Sequence, residues 1–116
     1  MGNEPEIAYH MLVLGMIAHI SSEYHIRSNR ESGLGRYDVT LEPKDATKIG
    51  YIFEFKKTKE GETIESIQNE ALEQIHQKEY MTDLQARGVQ QIACIALVFH
   101  GKTLHTKYLN IPALSG

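Results

Sequence analysis

Residues 35–57 read GRYDVTLEPKDATKIGYIFEFKK, and this stretch decides the fold. It divides into two alternating segments joined by the polar run from Pro43 to Gly50. Alternation of apolar and polar residues marks a strand, and Pro, Asp and Gly between two such segments mark a turn. In the first strand Tyr37, Val39 and Leu41 alternate with Arg36, Asp38 and Thr40. In the second, Tyr51, Phe53 and Phe55 lie opposite Glu54 and Lys56. Successive strand side chains point to opposite faces. Pairing the apolar faces therefore gathers Asp38, Glu54 and Lys56 on one half-buried side of a sheet. Three charges there are costly unless they serve each other or a cation.

Upstream, SEYHIRSNRE (residues 22–31) is expected to form a preceding strand, with SGLG as the tight turn between them. Glu23 and Glu31 are candidate extra acids, although charge at strand ends is ordinarily solvated. Gly33-x-Gly35 lacks the third glycine and the following helix of a phosphate loop. Residues 3–20 are expected to form a first helix, with Asn3 and Glu6 as a capping box and Pro5 in the first turn. Its centre, IAYHMLVLGMIAHI, is apolar nearly all round, which predicts burial on several sides. His10 shares a face with Glu6 and reads either as a satisfied core histidine or as a group reaching the carboxylates.

Downstream, residues 62–87 predict a second helix with Ile64, Ile67, Ala71, Ile75 and Leu84 as its apolar stripe and Gly88 as its stop. Gln74 borders that stripe, and Tyr80 follows six residues on. QQIACIALVFHG is apolar enough for a strand buried on both faces, and TLHTKYLNI is an expected edge strand before a short tail. Pattern alone allows α/β or α+β.

An Asp followed by a strand ending Glu-x-Lys resembles the PD-(D/E)XK nuclease superfamily. The phrases YHMLVLG, SNRESGLGRYD, EFKK and ALEQIHQKEY resemble its RecB-like branch, in particular the nuclease domain found behind AAA-ATPase-like domains. The likeness spans roughly residues 5–100, with Tyr37 standing where many members carry Pro. It implies a restriction-endonuclease-like α/β core in the order α-β-β-β-α-β-β, a mixed central sheet flanked by two helices. It also implies a nuclease that hydrolyses phosphodiester bonds of nucleic acid, DNA foremost, with Mg²⁺ or Mn²⁺. Asp38, Glu54 and the carbonyl of Phe55 would be ligands, with His10 as a further one. Asp38, Glu54, Lys56 and Gln74 would form the catalytic set, Gln74 with Tyr80 resembling the branch's glutamine–tyrosine motif. Hard divalent cations favour such oxygen donors, and a nitrogen ligand favours Mn²⁺.

The same residues admit a bland reading, a salt-bridge network on a solvated sheet face. Phe53-Glu54-Phe55 is too apolar for a surface edge, so a glutamate there needs a reason. A nuclease-fold module that binds or assembles without cutting, accessory to an ATPase, is the alternative function. No Walker-type loop is present, so nucleotide hydrolysis is excluded for this sequence.

At 116 residues the chain suits one domain, residues 1–116, with one core. Its single cysteine, Cys94, excludes an internal disulfide and a multi-cysteine zinc site. No apolar run suits a membrane span, the acidic start is no signal peptide, and Glu6 stands where myristoylation wants Ser or Thr. A cytoplasmic location is expected. The net charge of −3 makes the domain a weak grip for nucleic acid by itself, which predicts a homodimer or a partner domain, and the resemblance implies that such a partner is AAA-ATPase-like.

Overall fold

The computed structural model describes residues 22–31, 36–77 and 79–111. Five strands form one mixed sheet: β1 (Tyr24–Glu31), β2 (Arg36–Pro43), β3 (Gly50–Lys57), β4 (Ile92–His100) and β5 (Thr103–Ile111). Their spatial order follows the chain, with β3 in the middle. All neighbours are antiparallel except β3 and β4, which run parallel. A parallel pair needs a crossover. Here it carries α1 (Ile64–Gln77) and α2 (Glu79–Ala86), flanking residue 78. These are the α/β elements expected of a restriction-endonuclease-like core, except that two helices stand where one was expected over residues 62–87. The predicted first helix, with Glu6 and His10, lies outside the described residues, as do the SGLG turn and residues 112–116.

The β2–β3 turn is built by Asp45. Its Oδ1 accepts from the Thr47 backbone N–H at 3.0 Å and from the Thr47 hydroxyl at 2.7 Å. These bonds hold the Asp45 carboxyl below its ordinary range. Beside the turn Lys48 pairs with Glu23 at 2.7 Å, and the Tyr24 hydroxyl donates to the Ile49 carbonyl at 2.8 Å. Glu23 thus serves the turn, at the opposite end of the hairpin from Asp38. The Glu31 side chain lies outside the described set.

Thr63 caps α1, its hydroxyl accepting from the Ser66 N–H at 3.2 Å. Behind α2 the chain leaves through Gly88 at φ +88°. Val89 N–H donates to the Leu84 carbonyl at 3.1 Å and Gly88 N–H to the Gln85 carbonyl at 3.0 Å. That bond pair is a Schellman motif, which needs a left-handed residue and so favours glycine. It also folds Val89 back onto Leu84 in the core.

The sheet buries both faces. Val39, Leu41, Phe55, Leu97 and Phe99 share one cluster with Tyr24. On the other face Ile52, Ile92 and Cys94 pack with Ile75 of α1 and with Met81 and Leu84 of α2. Each such side chain, fully buried, contributes roughly 1.5–3 kcal/mol. Gly50 lies at the seam where α2 meets β3. A Cβ there would stand 3.2 Å from Val89 Cγ1.

Candidate active site

Asp38 of β2 and Glu54 of β3 are direct partners across the antiparallel ladder. Such pairs have Cα atoms about 4.5–5.5 Å apart and side chains on the same face. Lys56, two residues on, shares that face by the alternation of the strand. The expected convergence is present, but the face is not half-buried as expected. Asp38 is 2% exposed, Glu54 0% and Lys56 6%. The alternating pattern of β3 could not show this, because the cover comes from α1, packed over β3 and β4.

α1 adds a residue that sequence reading missed. The Lys56 ammonium donates to Glu70 Oε1 at 3.1 Å. Lys56 is nearly enclosed, whereas the Glu70 side chain is about half exposed. The available signal was spacing: Glu70 lies four residues before Gln74, hence on the same side of the helix.

Gln74 follows from the run of the crossover. A helix joining two parallel strands runs antiparallel to them. Four residues along it, about 6 Å, match about two along a strand. With Glu70 on Lys56, and Ile75 clustered with Ile52, Gln74 comes level with Glu54. Its Oε1 is buried without a hydrogen-bond partner among the described residues. A buried amide oxygen in that condition costs about 1–3 kcal/mol, so it needs a reason. The Tyr80 side chain is outside the described set, which leaves the glutamine–tyrosine pairing there as well.

The donors are chemically suited to a hard cation: two carboxylates on facing strands, and the Phe55 carbonyl beside them in sequence. Among the described residues no group of three or more His, Cys, Asp or Glu side chains has the geometry to hold a metal ion. A cation at Asp38 and Glu54 would take its remaining ligands from backbone carbonyl, water or substrate oxygen.

A mixed sheet with a parallel central pair and an acid pair plus lysine beneath the crossover helix defines an α/β protein of nuclease architecture. The profile of the PD-(D/E)XK nuclease superfamily matches residues 4–108, and the chain belongs to that superfamily. Neither curated proteins nor solved structures give a match. The superfamily consists generally of nucleases, typically dependent on divalent metals, which makes nucleic acid the implied substrate. No helix among the described residues is long and apolar enough to cross a membrane.

Proposed function

We propose that this chain is a metal-dependent nuclease hydrolysing phosphodiester bonds, with DNA as the foremost substrate. The observation that carries this reading is the ladder pair Asp38–Glu54, buried on one face with Lys56. Asp38, Glu54 and the Phe55 carbonyl are the proposed ligands of Mg²⁺ or Mn²⁺, with His10 as a further one. When bound, such a cation polarises the phosphoryl oxygen and lowers the pKa of a water nucleophile. The Lys56 ammonium, nearly excluded from solvent, stabilises negative charge developing on the phosphorane. Gln74 offers its amide to the attacking water or a phosphate oxygen. Glu70 positions the Lys56 ammonium. We further place the protein in the cytoplasm, working as a homodimer or beside an AAA-ATPase-like domain that shares the grip on substrate.

The test is incubation of the full chain with single- and double-stranded DNA and RNA, with and without Mg²⁺ or Mn²⁺. Cleavage is expected with metal and not with chelator, and not by Asp38→Asn under either condition. Cleavage undiminished in Asp38→Asn would sink the reading.

One observation favours a second reading, a nuclease-fold module that binds or assembles without cutting. The Lys56 ammonium is already engaged by Glu70. Binding of nucleic acid with no cleavage under any metal condition would select it.

A further inference from the structure

The acidic residues of the chain all lie at or before Asp83, and residues 84–116 hold Arg87, Lys102 and Lys107 with no acid. This last segment carries +3 in a chain whose net charge is −3. Most of it is the β4–β5 hairpin, which carries +2 from Lys102 and Lys107, while Arg87 lies before β4 and pairs with Glu42. Gly101 takes φ +61° at the first position of the two-residue turn, as a type II′ turn demands, which lifts Lys102 to the exposed tip.

Register connects this hairpin to the acid pair. Glu54 is level with Ala96, and Ala96 with Lys107. Lys56 is level with Val98, and Val98 with His105. Lys107 and His105 therefore share a sheet face with Glu54 and Lys56, two strand spacings or about 10 Å away. Lys107 reaches Asn69 of α1 at 2.8 Å, which fixes that side independently. A polar file continues to the end of the sheet. Thr103 Oγ1 lies 2.9 Å from His105 Nε2 and donates to the His100 carbonyl at 2.8 Å, while His100 Nδ1 lies 2.8 Å from Thr58 Oγ1.

We infer that the β4–β5 hairpin is the docking surface for the phosphate backbone of a nucleic-acid strand, with Lys102, Lys107 and the His105–Thr103–His100 file as its contacts. The inference rests on the nuclease reading for its substrate class. The argument is charge complementarity. Phosphates are met by lysine, hydroxyl and imidazole donors, and this hairpin carries them without an acid to repel the strand. The remainder of the chain is net negative and directs a polyanion to the hairpin. The exposed Tyr108 and Leu109 on the edge strand suit a rival occupant, a second copy of this chain.

The test is anisotropy of a fluorescein-labelled single-stranded DNA in EDTA, so that binding is read without cleavage, across a range of salt. The variants are Lys102→Glu, Lys102→Glu with Lys107→Glu, and Lys44→Glu, the same charge change on the β2–β3 turn. The double variant is expected to weaken binding by about tenfold or more and to flatten the salt slope by about 1–2. Lys102→Glu alone, at an exposed turn, should show a smaller loss of the same kind with an unchanged melting midpoint. Lys44→Glu should change affinity less than about twofold. Equal losses in hairpin and turn variants, or no binding by the parent, would overturn the proposal. So would a dimer by light scattering that dissociates in the double variant, because the hairpin would then seat a second copy. A parent that cleaves with Mn²⁺ while its hairpin variants bind unchanged defeats the docking surface alone. A parent that binds through the hairpin but never cleaves defeats the nuclease reading alone.

Discussion

Asp38 and Glu54 face each other across β2 and β3 with almost no exposure to solvent. Two carboxylates so placed repel one another, and each pays a desolvation penalty of several kcal/mol that neighbouring groups must offset. Without a cation, Glu54→Gln is expected to stabilise the fold by about 1–2 kcal/mol, a rise of several degrees in melting midpoint. The parent should gain stability with Mn²⁺, since a ligand that binds only the native state raises it, and Asp38→Asn and Glu54→Gln should lose that gain. Lys56→Met should keep or strengthen metal binding yet slow single-turnover cleavage by about 10²–10³. Calorimetric Mn²⁺ titration and single-turnover cleavage on all three variants decide it. Unaltered Mn²⁺ binding by Asp38→Asn would return Asp38 to a salt-bridge role.

Gln74→Leu trades an amide whose oxygen is buried for an apolar chain of similar size. Removing an unsatisfied buried oxygen is expected to stabilise the metal-free protein by about 1 kcal/mol. Cleavage should fall in the same variant, so stability and activity move in opposite directions. Urea melts paired with single-turnover rates check this. A less stable Gln74→Leu would mean that the oxygen finds a partner in solution.

Glu70→Ala leaves the enclosed Lys56 ammonium without the carboxylate that accepts from it. With Glu70 half exposed, the expected loss is about 1–2 kcal/mol, below that for a fully buried pair. In a Lys56→Met background the same substitution should cost little. A double-mutant cycle by denaturant melts measures the coupling. A coupling indistinguishable from zero would reduce the pair to a solvated contact.

Cys94 is wholly enclosed between the sheet and its helices, and burial pushes its thiol up to about 11 from an ordinary 9.0. The unfolded chain therefore releases this proton at lower pH than the folded one. The stabilisation is fully present below about pH 9 and is lost as pH rises toward 11, for up to roughly 2–3 kcal/mol. Urea melts at pH 8 and pH 10.5 should show this fall, diminished in Cys94→Ala. An identical fall in both proteins would assign it to other groups.

The Asp38–Glu54 convergence was legible because a period-2 pattern and a short polar turn leave little freedom of register. Burial was not, because it depends on which elements cover the sheet. Glu70 stayed hidden for a related reason: it meets Lys56 only through the docking of α1, and helix phase alone does not name a strand partner. Gln74 was singled out by likeness to a family motif, and what the structure adds is a buried Oε1 without a hydrogen-bond partner among the described residues. The edge position of β5 was readable from its mixed polar composition, and the double burial of β4 from its continuous apolar run.

The parallel seam between β3 and β4 also sets an order of assembly. The acid pair belongs to a local hairpin, which can close within microseconds. Lys56 meets Glu70, and β3 meets β4, only after the crossover has folded back, a slower step because the loop it closes is longer. On contact order the two mutually repelling carboxylates are therefore expected to meet before the helix that covers them docks, while water still surrounds them.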